Sequence, residues 1–175
     1  TITDVLQKHE VKAGDVFYIP SGTVHAICSG LLVAEIQQSS DLTYRIFDYN
    51  RPGLDGKPRQ LHVDLAAEAL NFKAGTNYQS QYQYHEGQAN TVVSSPYFNV
   101  RVLDIDHSMH CDMRQRDSFV ILMCLEGDCH IHVHSTGEDV TLRHGYSAMI
   151  PAAIADYDIV ADSSNGKSKV IDAFL

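Results

Sequence analysis

The feature that most limits what this chain can fold into is its punctuation. Short apolar runs, rich in β-branched and aromatic side chains, alternate with Gly, Pro and Asp turn signals. Val16-Phe17-Tyr18-Ile19 follows Ala13-Gly14-Asp15 and stops at Pro20-Ser21-Gly22. Gly30 introduces a run over 31–36, and another follows over 42–47. In the second half, similar runs fall at 97–105, 119–125, 129–134, 140–142, 147–150 and 169–174. Runs of this length and composition read as strands, and their close spacing predicts a sandwich or barrel. Glu126-Gly127-Asp128 reads as a tight hairpin joining two of them. Only LAAEALNF, following Asp64 as its cap, reads as a helix. The expected class is all-β with one short helix.

The runs are interrupted by a polar, Gln- and Tyr-rich stretch, TNYQSQYQYHEGQA, over 76–89. It divides the chain into an expected first unit over 1–75 and a second over 76–175, each within ordinary domain size. A faint repeat supports two related β-units. Gly14-Asp15-Val16-Phe17-Tyr18-Ile19-Pro20 parallels Gly145-Tyr146-Ser147-Ala148-Met149-Ile150-Pro151. Five residues after the proline, the first copy has His25 and the second Asp156.

Composition removes several function classes. The net charge is −9, which disfavours a nucleic-acid partner or electrostatic attachment to an anionic membrane. No apolar run approaches a membrane span, and the first residues lack a signal peptide's basic and apolar regions. The four cysteines, Cys28, Cys111, Cys124 and Cys129, form no C-x-x-C pair. They read as reduced thiols, each a buried small hydrophobe, in a cytoplasmic protein. No phosphate-binding glycine loop, nucleotide fingerprint or Ser-His-Asp pattern is present.

The stretch richest in chemistry is G-D-x-x-x-I-P-x-G-x-x-H, ending at His25. A histidine placed just after a turn can point into a barrel mouth and offer a ring nitrogen to a metal. The competing role is a partly buried ring satisfied by a backbone carbonyl, and one histidine alone is not a metal site. The sequence PSGTVHAICSGLLVAEIQQSSDLTYRIFDYNR, continuing through GLDGKPRQLHVDLAAEALNF, resembles the C-terminal part of type I mannose-6-phosphate isomerases of the shorter bacterial kind. The resemblance is strong over about 11–73 and weaker beyond. It implies a cupin, or jelly-roll, fold and a zinc-dependent aldose–ketose isomerase that interconverts mannose 6-phosphate and fructose 6-phosphate. Its partner would be a small sugar phosphate.

By that resemblance His25 matches the family's last zinc ligand, Arg45 its active-site arginine, and Asp41 an acidic residue for proton handling. Glu35 matches a family position without an assigned role. The remaining zinc ligands are expected upstream of Thr1. This chain, opening on Thr1 rather than Met, is therefore expected to be the C-terminal portion of a longer enzyme, inactive by itself. Each residue keeps a plainer alternative: Arg45 as a rim arginine in a salt bridge, Asp41 as a turn residue bonded to its own backbone. A non-catalytic cupin that binds sugar or serves structure is the alternative for the whole. Arg51, Lys57, Arg59 and Lys12 are phosphate candidates by charge alone.

The other histidines invite less. His130, His132 and His134 share one strand face at period two, and Cys129, Ile131 and Val133 the other. The apolar face is expected inside and the histidine face in solvent. His107 and His110 are expected in a polar loop, HSMHCDMRQRD. With Asp156 where a metal-bearing unit would have its histidine, the second unit is expected to be metal-free. The Tyr78, Tyr82 and Tyr84 cluster is expected in an exposed strand or loop.

Overall fold

The structure is a computed structural model that describes residues 2–40, 42–73, 78–162, 164 and 166–175. The chain forms two compact units, Thr1–Gln79 and Ser80–Leu175.

The second unit is a two-sheet antiparallel sandwich. Its strands are β1 (Ala89–Ser94), β2 (Asn99–Asp106), β3 (Ser108–Asp112), β4 (Val120–Glu126), β5 (Cys129–Val133), β6 (Glu138–Leu142), β7 (Ser147–Ile150), β8 (Asp156–Ala161) and β9 (Lys167–Phe174). One sheet has the order β1-β2-β9-β4-β7, the other β3-β8-β5-β6. Alternation decides which side chains meet between the sheets. Along β5, Cys129, Ile131 and Val133 are buried and the two histidines between them are not. Inward residues of both sheets, among them Leu103, Ile105, Leu122, Ile131, Tyr157, Ile159 and Val170, form one core. Such interdigitated inner faces are how two half-apolar sheets escape water.

Three elements differ from expectation. Strand β3 occupies what reads as a polar loop around His110, because only its alternate residues turn inward. Ser108, His110 and Asp112 stay outside while Cys111 is buried. Strands β1 and β8 are missed for the same reason. In β8 the outward Asp156 and Asp158 hide the strand that Tyr157 and Ile159 anchor. Glu126-Gly127-Asp128 is not a hairpin turn, since β4 and β5 lie in different sheets. Likewise His107, at φ +63°, turns the chain from β2 in one sheet to β3 in the other. That conformation is uncommon for a residue with a Cβ. Here it is pinned by hydrogen bonds from the His107 N–H to the Gly166 carbonyl (2.6 Å) and from the Ala161 N–H to the His107 carbonyl (2.9 Å).

Among its described residues the first unit has no extended ladder, so the strands expected at 16–19, 31–36 and 42–47 do not form. It has a short 3-10 turn (Ile2–Asp4), the helix α1 (Val63–Ala69) and two isolated bridges, Phe17 with Gln79 and Pro52 with Pro58. A β-prone run becomes a strand only when a neighbour takes up its backbone groups. Leu31, Leu32 and Val33 are all exposed instead. The turns themselves form: Gly14, Gly22 and Gly30 all take positive φ. Asp64 lies in the first turn of α1 rather than at its cap, and His62 occupies the cap position without a side-chain cap bond.

The cysteines follow expectation except one. Cys111, Cys124 and Cys129 are buried and unpaired, whereas Cys28 is exposed. Burial pushes the Cys111 thiol up to about 11 and the Cys129 thiol up to about 12. No described helix is long and apolar enough to cross a membrane.

Candidate functional site

His25 owes its position to the turn before it. Gly22, at φ +81°, packs so closely on the end of α1 that a Cβ there would meet the Ala69 carbonyl oxygen at 2.7 Å. The Asn71 N–H donates to the Gly22 carbonyl (2.9 Å) and the Thr23 N–H to the Pro20 carbonyl (3.2 Å). Three residues later the His25 ring is exposed, with Nδ1 at 2.9 Å from the Thr23 carbonyl. A carbonyl accepts only, so Nδ1 carries a proton, and in the neutral ring the lone pair is left on Nε2. This is the tautomer in which a histidine ligates a metal, its other nitrogen steadied by a carbonyl. The ring is thus carbonyl-satisfied, as its plainer reading held, but exposed rather than partly buried. The donor set matches zinc in kind but not in number: His25 belongs to no cluster of three or more metal-ligating side chains among the described residues.

Arg45 is held from both ends. Its backbone N–H donates to His62 Nδ1 (3.2 Å), and the His62 N–H donates to the Arg45 carbonyl (2.7 Å). This use of the His62 ring explains why it does not cap its own helix. The Arg45 guanidinium donates to the Gln60 carbonyl (3.3 Å) and lies 4.0 Å from the Asp48 carboxylate. The rim salt bridge is therefore present, though long. No hydrogen bond or ion pair joins His25 to Arg45 among the described residues. Asp41 lies outside the described residues. Glu35 is exposed and outside any strand.

Asp48 is the residue that sequence reasoning passed over. It is buried and gathers three guanidinium groups. Arg59 donates to it through Nε (2.6 Å) and Nη2, Arg51 through Nη2 (2.9 Å), and Arg45 stands beside it. The Arg59 hydrogen bonds, reinforced by Arg51, hold the Asp48 carboxyl down at about 2. Its signal was on view in Asp48-Tyr49-Asn50-Arg51, a carboxylate and a guanidinium three residues apart. Tyr49 and Asn50 both take φ +53°, the tight bend that brings Arg51 back over Asp48. Three guanidinium groups around one carboxylate leave a positive surplus. Beside it lies an open depression of about 330 Å³ lined by Arg51, Pro52, Gly53, Leu54 and Arg59. Lys12 is instead tied to Asp15 at 2.9 Å.

In the second unit Asp156 is occupied, accepting from Arg114 and facing His134 Nδ1 at 3.1 Å.

Residues 88–168 match the family model described as the cupin domain of mannose-6-phosphate isomerase. The chain is 37% identical over 168 residues to mannose-6-phosphate isomerase of Streptococcus mutans, a match covering 92% of this chain and 52% of that protein. It is 31% identical over 159 residues to mannose-6-phosphate isomerase ManA of Bacillus subtilis, covering 89% of this chain and 49% of the relative. The solved structure of the mannose 6-phosphate isomerase from Bacillus subtilis superposes with a TM-score of 0.63 at 26% identity, over 78% of this chain and 41% of that one. The chain thus spans about half the length of the curated relatives it matches. Residues 88–168 therefore match the cupin domain of mannose-6-phosphate isomerases, within a chain similar over most of its length to the C-terminal portion of those proteins.

Proposed function

We propose that this chain is the C-terminal part of a zinc-dependent aldose–ketose isomerase that interconverts mannose 6-phosphate and fructose 6-phosphate in the cytoplasm. The observation that carries the reading is the 37% identity, over 92% of the chain, to a mannose-6-phosphate isomerase. In this reading residues 1–75 complete a catalytic cupin whose other zinc ligands lie outside these 175 residues, and residues 76–175 are a second, structural unit.

Moving a carbonyl between C1 and C2 of a sugar removes a proton beside the carbonyl and leaves negative charge on oxygen. Arg45 answers that charge. Its guanidinium offers a planar fork of donors, and its double tie to His62 fixes the backbone that carries it. Asp41 moves the proton. His25 would hold zinc through Nε2, the nitrogen that the Thr23 carbonyl leaves free. Zinc, when bound, polarises the sugar carbonyl as a Lewis acid. The phosphate is drawn by the guanidinium surplus around Asp48. Arg51 is the best placed to meet it, because its side chain is 61% exposed against 39% for Arg59.

The test is made in the intact protein. His25→Ala lowers zinc content. Arg45→Ala retains zinc and lowers kcat by about 100-fold or more, the usual cost of losing one charge-stabilising donor. Normal turnover in the Arg45 variant removes its role. No isomerase activity in the intact protein returns the chain to the other reading, a non-catalytic sugar-binding or structural module.

A further inference from the structure

The outer face of the four-stranded sheet collects histidines and carboxylates from three neighbouring strands. Register explains how. Strand β8 runs between β3 and β5, and its Asp158 stands opposite His110 on one side and His132 on the other. His134, just past the end of β5, lies on the same face and reaches Asp158 diagonally. His110 Nδ1 is 2.7 Å from Asp158 Oδ1, and His134 Nε2 is 3.0 Å from Asp158 Oδ2. The two imidazoles stack at 5.4 Å between centroids with 23° between their planes. One donor atom each from His110, His134 and Asp158 falls within 4.8 Å of the others.

The hydrogen-bond inventory of His134 makes this more than a crowd of polar groups. Its Nδ1 faces the Asp156 carboxylate at 3.1 Å, and its Nε2 faces Asp158. A carboxylate only accepts, so with one ring proton placed toward Asp156 the Nε2 lone pair confronts the lone pairs of Asp158. A cation, either a second ring proton or a metal ion, belongs between them. Asp156 also does what a carboxylate behind a metal-bound histidine does, fixing the tautomer that presents Nε2. Two imidazoles and one carboxylate suit a borderline cation such as Zn²⁺, Co²⁺, Ni²⁺ or Cu²⁺, and not Mg²⁺ or Ca²⁺, which require oxygen ligands. The side chains of His110, His134 and Asp158 are 54%, 36% and 33% exposed, which leaves water free to complete the shell.

We propose that His110, His134 and Asp158 form a surface site for one divalent transition-metal ion, separate from the site to which His25 belongs. It is not the period-two set His130, His132 and His134: of those three, only His134 contributes. His130 turns to Asp162 at 2.7 Å and His132 to Asp139 at 2.9 Å.

The experiment is calorimetric titration of Zn²⁺ into the metal-stripped 175-residue chain, repeated with Mg²⁺. One Zn²⁺ is bound at the cluster, and Mg²⁺ is not. His134→Ala and His110→Ala each weaken Zn²⁺ binding by about tenfold or more, since losing a ligand costs at least as much as losing an outer-shell partner. His130→Ala leaves it unchanged. Because these side chains are surface groups, far-UV circular dichroism stays the same in every variant. Zn²⁺ affinity that survives both His110→Ala and His134→Ala overturns the site, as does loss of binding in His130→Ala or equal binding of Mg²⁺. Loss confined to His25→Ala overturns this site while leaving the proposed catalytic role of His25 standing.

Discussion

Asp172 on β9 is fully buried, and it is the sole carboxylate that the described hydrogen bonds and ion pairs assign to two guanidinium groups in the second unit's interior. Arg101 holds it in a forked arrangement, with Nε at 3.0 and 3.1 Å from its two oxygens and Nη2 closer still, and Arg116 approaches to 3.5 Å. Both arginines also stack on the Phe174 ring, at 5.3 and 3.8 Å from its centroid. Asp172→Ala deletes the shared acceptor and leaves two charges facing one another. Breaking a buried pair this way costs about 3–5 kcal/mol. The low end applies, because the arginine side chains remain 23% and 17% exposed and retain a path to water. At about 3 kcal/mol, a unit of this size should melt about 12–24 °C lower. Differential scanning calorimetry on the full chain reads the shift. Asp172→Asn keeps an acceptor and should lose about half as much. Adding Arg101→Met to Asp172→Ala should recover part of the loss, since the penalty is chiefly that of an unpaired charge. A melting point for Asp172→Ala within about 3 °C of the parent would refute this reasoning, because no cost inferred from a buried forked pair is that small.

Two further outcomes follow from the first unit. Gly22→Ala forces a Cβ into left-handed backbone at 2.7 Å from the Ala69 carbonyl, costing about 2 kcal/mol or more. Hydrogen exchange at the Asn71 amide, which bonds to Gly22, should speed up accordingly. Asp48 is held at about 2 against an ordinary 3.8, so its ionised form is the one that folding favours. Its contribution is complete above about pH 5 and is lost as the pH falls through 3.8 toward 2. In a pH titration followed by carboxyl NMR shifts, Asp48 should titrate near 2 in the parent and closer to 3.8 in Arg59→Ala.

What was legible in the sequence follows from where each residue's partners lie. Strands with strong inward residues on both flanks, such as β2, β4 and β9, announce themselves because apolar burial dominates their composition. Strands β3 and β8 do not, since half of each is an outward row of His, Asp and Ser that mimics a loop. In the first unit the turns at Gly14, Gly22 and Gly30 were readable because positive φ is a local demand on one residue. The strands between them were overread because a ladder is a demand on a neighbour. His25 and Arg45 were reached through a motif, and Asp48 was missed inside that same motif, because its value comes from Arg59, eleven residues away in the chain.

The histidine face shows the same rule at its sharpest. Period two correctly sets His130, His132 and His134 outward, and on that basis alone a solvated stripe is the sound reading. Chemistry at a sheet surface, however, runs across strands rather than along one. Asp158 sits between His110 and His134 only because β8 is threaded between β3 and β5, a fact of topology that no spacing along β5 encodes. A carboxylate strand flanked by two histidine strands converts three unremarkable alternations into a set of donors within reach of one ion. The pattern to seek in a β-rich sequence is therefore complementary donors on strands that the fold makes adjacent, even when each strand by itself looks like surface.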